Sequence, residues 1–262
     1  MKNIAIIGTG NMGSAIAASL REHDSHIICT AASQQTLERV KGEMPDVDVT
    51  TDNVAAVKDA DMIVLAVKPY IAPGVLAEIR DHIRAGAVII SVIAVLSIKE
   101  LQEVLDSDSK SLKIIRVVPN TAIKYGKSAT FIAAADNVDK DILAETTEIF
   151  NRSGKAFVVK EKELAACTAL ASCGIAYFLR FIRAAVEGSV ELGMKAGFAT
   201  EVAALTAEGA AALLADGSHP EVEIDKVTTP GGITIKGLNA LEANGFTNAV
   251  IAALRASCIA SE

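Results

Sequence analysis

Tryptophan is absent, and three tyrosines with seven phenylalanines bring the aromatic share to only 4%. A hydrophobic fraction of 51% must therefore build its core from alanine, valine, isoleucine and leucine. Basic clusters are missing too. With 25 Lys and Arg against 32 Asp and Glu, the net charge is −7 and the pI is near 5.2, which argues against a nucleic-acid partner. The four cysteines (Cys29, Cys167, Cys173 and Cys258) show neither a CxxC pair nor a metal-ligand spacing. Reduced thiols in a cytoplasmic protein without a metal site are expected. No apolar run reaches the roughly 18 residues of a membrane span, so no membrane partner is expected. Met1-Lys2-Asn3-Ile4 leads straight into a strand-like segment, so no leader peptide is expected either.

At 262 residues the chain has room for two ordinary domains, each with a core. Its first part alternates strand and helix. Asn3–Ile7, His26–Thr30, Val47–Thr50, Met62–Val67, Ala87–Val92 and Leu112–Val118 read as strands, with Thr130–Ala134 and Ala156–Val159 as two more. Helical stretches lie between them, and the alternation predicts an α/β doubly wound sheet with helices on both faces. After about Lys160 the strand-like runs stop. Glu161–Ser172, Ala176–Leu192, Thr200–Ala215, Ile233–Ala243 and Thr247–Ser257 read as helices, with Thr200 and Thr247 as caps. Residues 1–160 are therefore expected to form a Rossmann-type dinucleotide-binding domain, and 161–262 an all-helical one. The alanine-rich helical faces suit either a subunit interface or a bundle core.

Gly8-Thr9-Gly10-Asn11-Met12-Gly13 directly follows an apolar strand and opens a helix. Gly8 permits the tight turn, Gly10 lets backbone approach a pyrophosphate, and Gly13 allows close packing of helix on strand. The end of the second strand reads Cys29-Thr30-Ala31-Ala32-Ser33-Gln34-Gln35-Thr36, with no acid to hold a ribose 2′-hydroxyl. That speaks against strict use of NADH. A 2′-phosphate would rely on Ser33, the glutamines and backbone, so NADPH is favoured.

Ala66-Val67-Lys68-Pro69 and Arg116-Val117-Val118-Pro119-Asn120-Thr121 stand at strand ends, where an open sheet binds its ligands. Lys68 alone reads equally as a solvated lysine, and Asn120-Thr121 as a turn with a helix cap. Near the far end, Thr228-Thr229-Pro230-Gly231-Gly232-Ile233-Thr234 puts hydroxyls, a proline and adjacent glycines before a helix. Such a segment can offer the N–H groups of Gly231 and Gly232 to a small anion such as a carboxylate, or serve only as an interhelical turn. No Ser-His-Asp set or paired catalytic carboxylates are recognisable.

GTGNMG at 8–13, AVKP at 66–69, RVVPNT at 116–121 and DKVTTPGGITIKGL at 225–238 together resemble the pyrroline-5-carboxylate reductase family, in order and along essentially the whole chain. The resemblance implies reduction of the cyclic imine of Δ1-pyrroline-5-carboxylate to L-proline with NADPH or NADH. It implies that Gly8–Gly13, Asn53, Ala66–Pro69 and Val92, Ile93 and Ala94 line the cofactor. It also implies that Thr228, Thr229, Gly231, Gly232, Ile233 and Thr234 hold the substrate, with the Thr234 hydroxyl near the imine nitrogen, and Asn120 stands on the same substrate side. A homodimer through the helical domain, assembled further into a decamer, belongs to the same expectation.

The chain departs from the family in one segment. Where members carry Ser-Gly-Ser-Gly-Pro-Ala-Tyr, it has Ala171-Ser172-Cys173-Gly174-Ile175-Ala176-Tyr177, and Ala122 replaces a proline after Asn120-Thr121. A paralogue that binds nucleotide without turnover would fit those changes. A β-hydroxyacid dehydrogenase is disfavoured, since Cys167–Arg180 holds no lysine. Glu161 resembles a substrate-proximal acid of some relatives, and equally reads as a first-turn acid favouring the helix dipole.

Overall fold

Among the described residues eight strands form one sheet in the order β3-β2-β1-β4-β5-β6-β7-β8. In this computed structural model, which describes residues 2–21, 25–105 and 111–258, the strands are β1 (Lys2–Ile7), β2 (Ser25–Thr30), β3 (Asp48–Thr50), β4 (Met62–Leu65), β5 (Val88–Ser91), β6 (Lys113–Val118), β7 (Ser128–Ala134) and β8 (Gly154–Val158). The first six pair in parallel. β7 runs antiparallel to β6, and β8 returns parallel to β7. The doubly wound expectation therefore holds with one reversal. A connection of nine residues between Val118 and Ser128, one 3₁₀ turn over Thr121–Tyr125, is too short for a parallel crossover.

The core shows why the central strands are almost wholly apolar. Ile4 and Ile6 face Ile16 and Leu20 of α1 (Asn11–Leu20), Val40 of α2 (Gln34–Glu43) and Ile149 and Phe150 of α6 (Lys140–Asn151). Ala5 and Ile7 point the other way, toward Ala56 of α3 (Asn53–Val57), Leu76 and Ile79 of α4 (Ala72–Ile79) and Leu101 and Leu105 of α5 (Ile98–Leu105). Neither face of the central strands meets water, so the alternation that marks half-exposed strands is absent there, whereas β8 at the sheet edge is largely exposed. Strand order reverses between β1 and β4, the switch point at whose carboxyl ends an open sheet binds its ligands.

The described chain divides into two compact units, the first running to Ser172 and the second spanning Cys173–Cys258. The first ends in a helical stretch of mixed pitch: a 3₁₀ turn at Glu161–Glu163, α7 (Leu164–Cys167) and a π-helical segment over Thr168–Cys173. The second holds α8 (Gly174–Glu191), α9 (Ala196–Ala212), α10 (Pro220–Val227), α11 (Ile233–Ala243) and α12 (Phe246–Ser257). Two caps differ from expectation. Thr200 lies inside α9, where its hydroxyl donates to the Ala196 carbonyl at 2.8 Å. Thr247 lies inside α12, which follows Gly245 in the left-handed region at φ 78°. α10 was not expected from sequence; Pro220 at its first turn with Glu221 and Glu223 is the signal that announces it.

Among its described residues the second unit buries only Gly174, Val186 and Ala199. Phe178, Leu179, Phe198 and Leu205 are all exposed. The stretch Glu161–Glu191 reaches a mean hydropathy of 1.6 over a span-length window, although no uninterrupted apolar run of that length exists. Scattered charges among alanines and large apolar residues produce that average.

Candidate functional site

The glycine-rich turn is built as its spacing predicts. Gly8 sits at φ +93°, and a β-carbon on it would lie 2.8 Å from Val67 Cγ1 and 3.0 Å from the Ala66 carbonyl oxygen. Gly13 is tighter still: its β-carbon would come within 2.1 Å of the Gly8 carbonyl oxygen. Around Gly10 nothing lies within 4 Å of the equivalent position. Turn, close packing and open approach are thus distributed over the three glycines, and α1 begins at Asn11 with no side-chain cap on its N–H groups. This cradle fits the pyrophosphate of a dinucleotide.

Residues outside the motif hold it in place. The Thr9 N–H and hydroxyl both donate to the Thr30 carbonyl at 2.8 Å. The Thr30 hydroxyl accepts the Gly8 N–H at 3.3 Å and donates to Asn53 Oδ1 at 2.7 Å. Asn53 in turn donates to Glu78 at 3.0 Å. Asn53 is therefore drawn to the loop through Thr30, a residue that sequence reading passed over. Arg39 was also missed. It lies just beyond the acid-free segment, yet its guanidinium reaches the Thr9 carbonyl at 3.0 Å and the Ser14 hydroxyl at 3.2 Å. Ser33 caps α2, its hydroxyl accepting the Thr36 N–H at 3.3 Å, and remains exposed. A groove of about 720 Å³ runs beside Asn11, Met12 and Ser14, with Arg39 and Lys124 on its rim.

The other expected cofactor residues converge on the same strand ends. The Ala66 N–H bonds the Ile7 carbonyl, and the Val92 N–H the Leu65 carbonyl, which brings the segments after β4 and β5 level with Gly8. Lys68, Pro69 and Ala94 are exposed, Val67 and Val92 half-buried. Ile93 is different: its side chain belongs to the core, 2% exposed.

Asn120 is buried, and both ends of its amide are engaged. Its Oδ1 accepts the Ala122 N–H at 3.0 Å and its Nδ2 donates to the Ala171 carbonyl at 3.2 Å. The second of these bonds reaches a carbonyl within the π-helical segment. Glu161 likewise has a definite partner. Its Oε1 accepts from Arg116 Nη1 at 2.8 Å and from the Ile98 N–H at 2.7 Å. That geometry replaces the reading of Glu161 as an acid merely placed for the helix dipole.

In the second unit, Thr229-Pro230-Gly231-Gly232 closes a turn in which the Gly232 N–H donates to the Thr229 carbonyl at 2.9 Å. Proline at the second position and Gly231 at φ +72° at the third make it type II. The Gly232 N–H is spent on the turn, which corrects the expectation that it is free for a carboxylate. Gly232 is the N-cap of α11 and offers no side chain, so the N–H groups of Ile233, Thr234 and Ile235 stand at an uncapped helix start. The Thr228 hydroxyl turns back to the Asp225 carbonyl at 3.2 Å, and Thr234 is exposed.

All four cysteines are free thiols. Burial pushes Cys29 up to about 12, and burial with nearby Glu163 raises Cys167; neither is poised as a nucleophile. No group of metal-ligating side chains occurs among the described residues.

Comparison with known proteins agrees along the chain. Residues 161–262 match the family model for pyrroline-5-carboxylate reductase dimerisation, and residues 3–95 match the model for NADP oxidoreductase, coenzyme F420-dependent. Pyrroline-5-carboxylate reductase 2 of Dictyostelium discoideum is 37% identical, over 95% of this chain and 89% of its own length. The pyrroline-5-carboxylate reductase structure from Coxiella burnetii superposes with a TM-score of 0.88 at 29% identity, covering 98% of this chain and 96% of that one. A Plasmodium falciparum pyrroline carboxylate reductase, solved with NADP bound, gives 0.86 at 27% identity, covering 98% and 95%.

Proposed function

The chain belongs to the pyrroline-5-carboxylate reductase family, and from that membership we infer that it reduces the cyclic imine Δ1-pyrroline-5-carboxylate to L-proline, the last step of proline biosynthesis. The observation that carries this reading is a likeness spanning 95% of the chain. It is an NADP-dependent oxidoreductase. When bound, the reduced nicotinamide supplies the hydride.

The chain's own residues divide the remaining work. Gly8–Gly13 at the start of α1 receive the pyrophosphate, with Asn53 fixed beside them through Thr30. Ser33 and Arg39, whose guanidinium also pairs with Glu43 at 2.8 Å, suit the extra negative charge of a 2′-phosphate. Ala66–Pro69 and Val92–Ala94 form the wall against which the nicotinamide is held. The uncapped N–H groups at Ile233–Ile235, with Thr228 and Thr229, take the substrate carboxylate. The Thr234 hydroxyl hydrogen-bonds the ring nitrogen and orients its proton. A protonated imine is already electrophilic, so positioning supplies most of the acceleration and no strong acid is required. Asn120 contributes by holding the helical segment at Ala171.

We also assign 1–160 as the cofactor domain and 161–262 as the substrate and dimerisation domain of a cytoplasmic enzyme. Homo-oligomerisation runs through the helical domain; a dimer is its basic unit, and a decamer its larger assembly. The test is an assay with pyrroline-5-carboxylate and each nucleotide in turn. Turnover with NADPH is expected, and Thr234→Ala is expected to lower kcat about 100-fold. A chain that binds NADPH yet leaves the imine untouched would sink the reading in favour of a non-catalytic paralogue.

A further inference from the structure

Arg116 is a strand residue that is 5% exposed, buried deeply for a permanent cation. It lies on β6 opposite Ser91, the last residue of β5. One arm of its guanidinium meets Glu161 Oε1 at 2.8 Å, and the other donates to the Ala94 carbonyl at 2.8 Å. The same Glu161 oxygen accepts the Ile98 N–H at 2.7 Å. A single ion pair thus grips Ala94, within the irregular connection 92–97 between β5 and α5, and Ile98, the first residue of α5. Further bonds fix what lies between and before: the Ile93 N–H reaches the Ser91 hydroxyl at 3.3 Å, and the Ser97 N–H reaches Glu100 at 2.7 Å.

Burying the guanidinium is costly even though its partner Glu161 stays one-third exposed, and an apolar residue on β6 would often serve stability as well. Stability alone is therefore a weak reason for it. What the pair does accomplish is to fix the carbonyl of Ala94, an exposed residue in the loop that follows β5. We propose that Arg116 and Glu161 are positioning residues that pre-order the Val92–Ala94 loop for the nicotinamide nucleotide. Neither needs to touch the cofactor. Pre-ordering spares the nucleotide the entropy of arranging the loop itself. The inference rests on the assignment of Val92–Ala94 to the cofactor wall.

The test is calorimetric binding of NADPH to the full chain, free of imine, alongside thermal melting. Arg116→Met removes both arms and is expected to raise the NADPH Kd about tenfold, the worth of roughly one hydrogen bond to a charged group. Arg116→Lys keeps the charge but not the fork, and is expected to raise Kd about threefold while preserving the fold. Glu161→Gln keeps an oxygen that accepts both donors, and is expected to stay within about twofold. In turnover, the KM for NADPH should rise in Arg116→Met with little change in kcat or in the KM for the imine. Ile149→Val, a core change distant in the sequence, should lower the melting temperature and leave Kd alone. An unchanged Kd in both arginine variants would overturn the proposal, as would an equal rise in Ile149→Val. Absence of NADPH binding in the unsubstituted chain would instead overturn the nucleotide assignment, and the clamp with it.

Discussion

Gly10 and Gly13 are three positions apart and carry opposite constraints. Gly13 has no space for a methyl group, since its β-carbon would stand 2.1 Å from the Gly8 carbonyl oxygen. Gly10 has open space and an ordinary φ of −70°. Gly13→Ala is therefore expected to cost roughly 1–3 kcal/mol of stability by overpacking and to weaken NADPH binding. Gly10→Ala should leave the melting temperature nearly unchanged, yet lower nucleotide affinity about tenfold or more, because the methyl intrudes where phosphates approach. Melting curves and binding isotherms for the two variants separate packing from access. If Gly10→Ala binds NADPH as well as the unsubstituted chain, the pyrophosphate does not lie against that residue.

At the scale of elements, α5 is the most informative helix. Ser97 and Glu100 form a reciprocal capping box: the Glu100 carboxylate accepts the Ser97 N–H at 2.7 Å, and the Ser97 hydroxyl accepts the Glu100 N–H at 3.1 Å. The Ser97 hydroxyl and N–H, with a smaller contribution from Arg116, hold the Glu100 carboxyl below its ordinary value. A depressed folded value means that the cap contributes fully above the unfolded glutamate pKa. Its contribution is lost as pH falls through the folded one. Amide exchange at Ser97, corrected for intrinsic rates, should therefore accelerate over that acidic window in the native chain, and not in Glu100→Gln. Equal profiles would remove Glu100 from the cap.

The same elements show what could be read in advance. β1, α1 and the glycine turn between them were fully legible, because apolar runs and glycine spacing are local signals. The S-x-x-E box is equally local and could have been found. Arg116 with Glu161 could not: they are 45 positions apart, and only the register of β6 beside β5 brings the arginine to Ala94. The caps at Thr200 and Thr247 misled for a related reason. A threonine inside a helix bonds the carbonyl four residues back, as Thr200 does, and sequence alone does not distinguish that use from a cap. The β7 reversal was hidden in the length of a single loop.

On the scale of the whole molecule, the two units bury their apolar residues very differently. The first has a continuous core on both faces of its sheet, whereas the second leaves Phe178 66% and Leu205 68% exposed. An unpaired helical unit of this kind leaves a large apolar surface in water, and these residues lie within the stretch that matches the dimerisation model. Leu205→Glu is expected to shift sedimentation from an oligomer toward a single chain of 27.3 kDa and to depress turnover with it. A chain that already sediments as a monomer at assay concentration would refute the assignment of that surface.

The type II turn at Thr229–Gly232 bears on timing rather than affinity. The Pro230 ring and the left-handed Gly231 set its dihedrals before any ligand arrives. Under the proposed assignment of this turn to the substrate carboxylate, the receptor is finished in advance, and capture is a matter of collision and orientation with no local ordering step to wait for. Rates of association should accordingly be insensitive to agents that slow or speed the folding of short peptides, and should follow solvent viscosity in the ordinary way of a diffusive encounter.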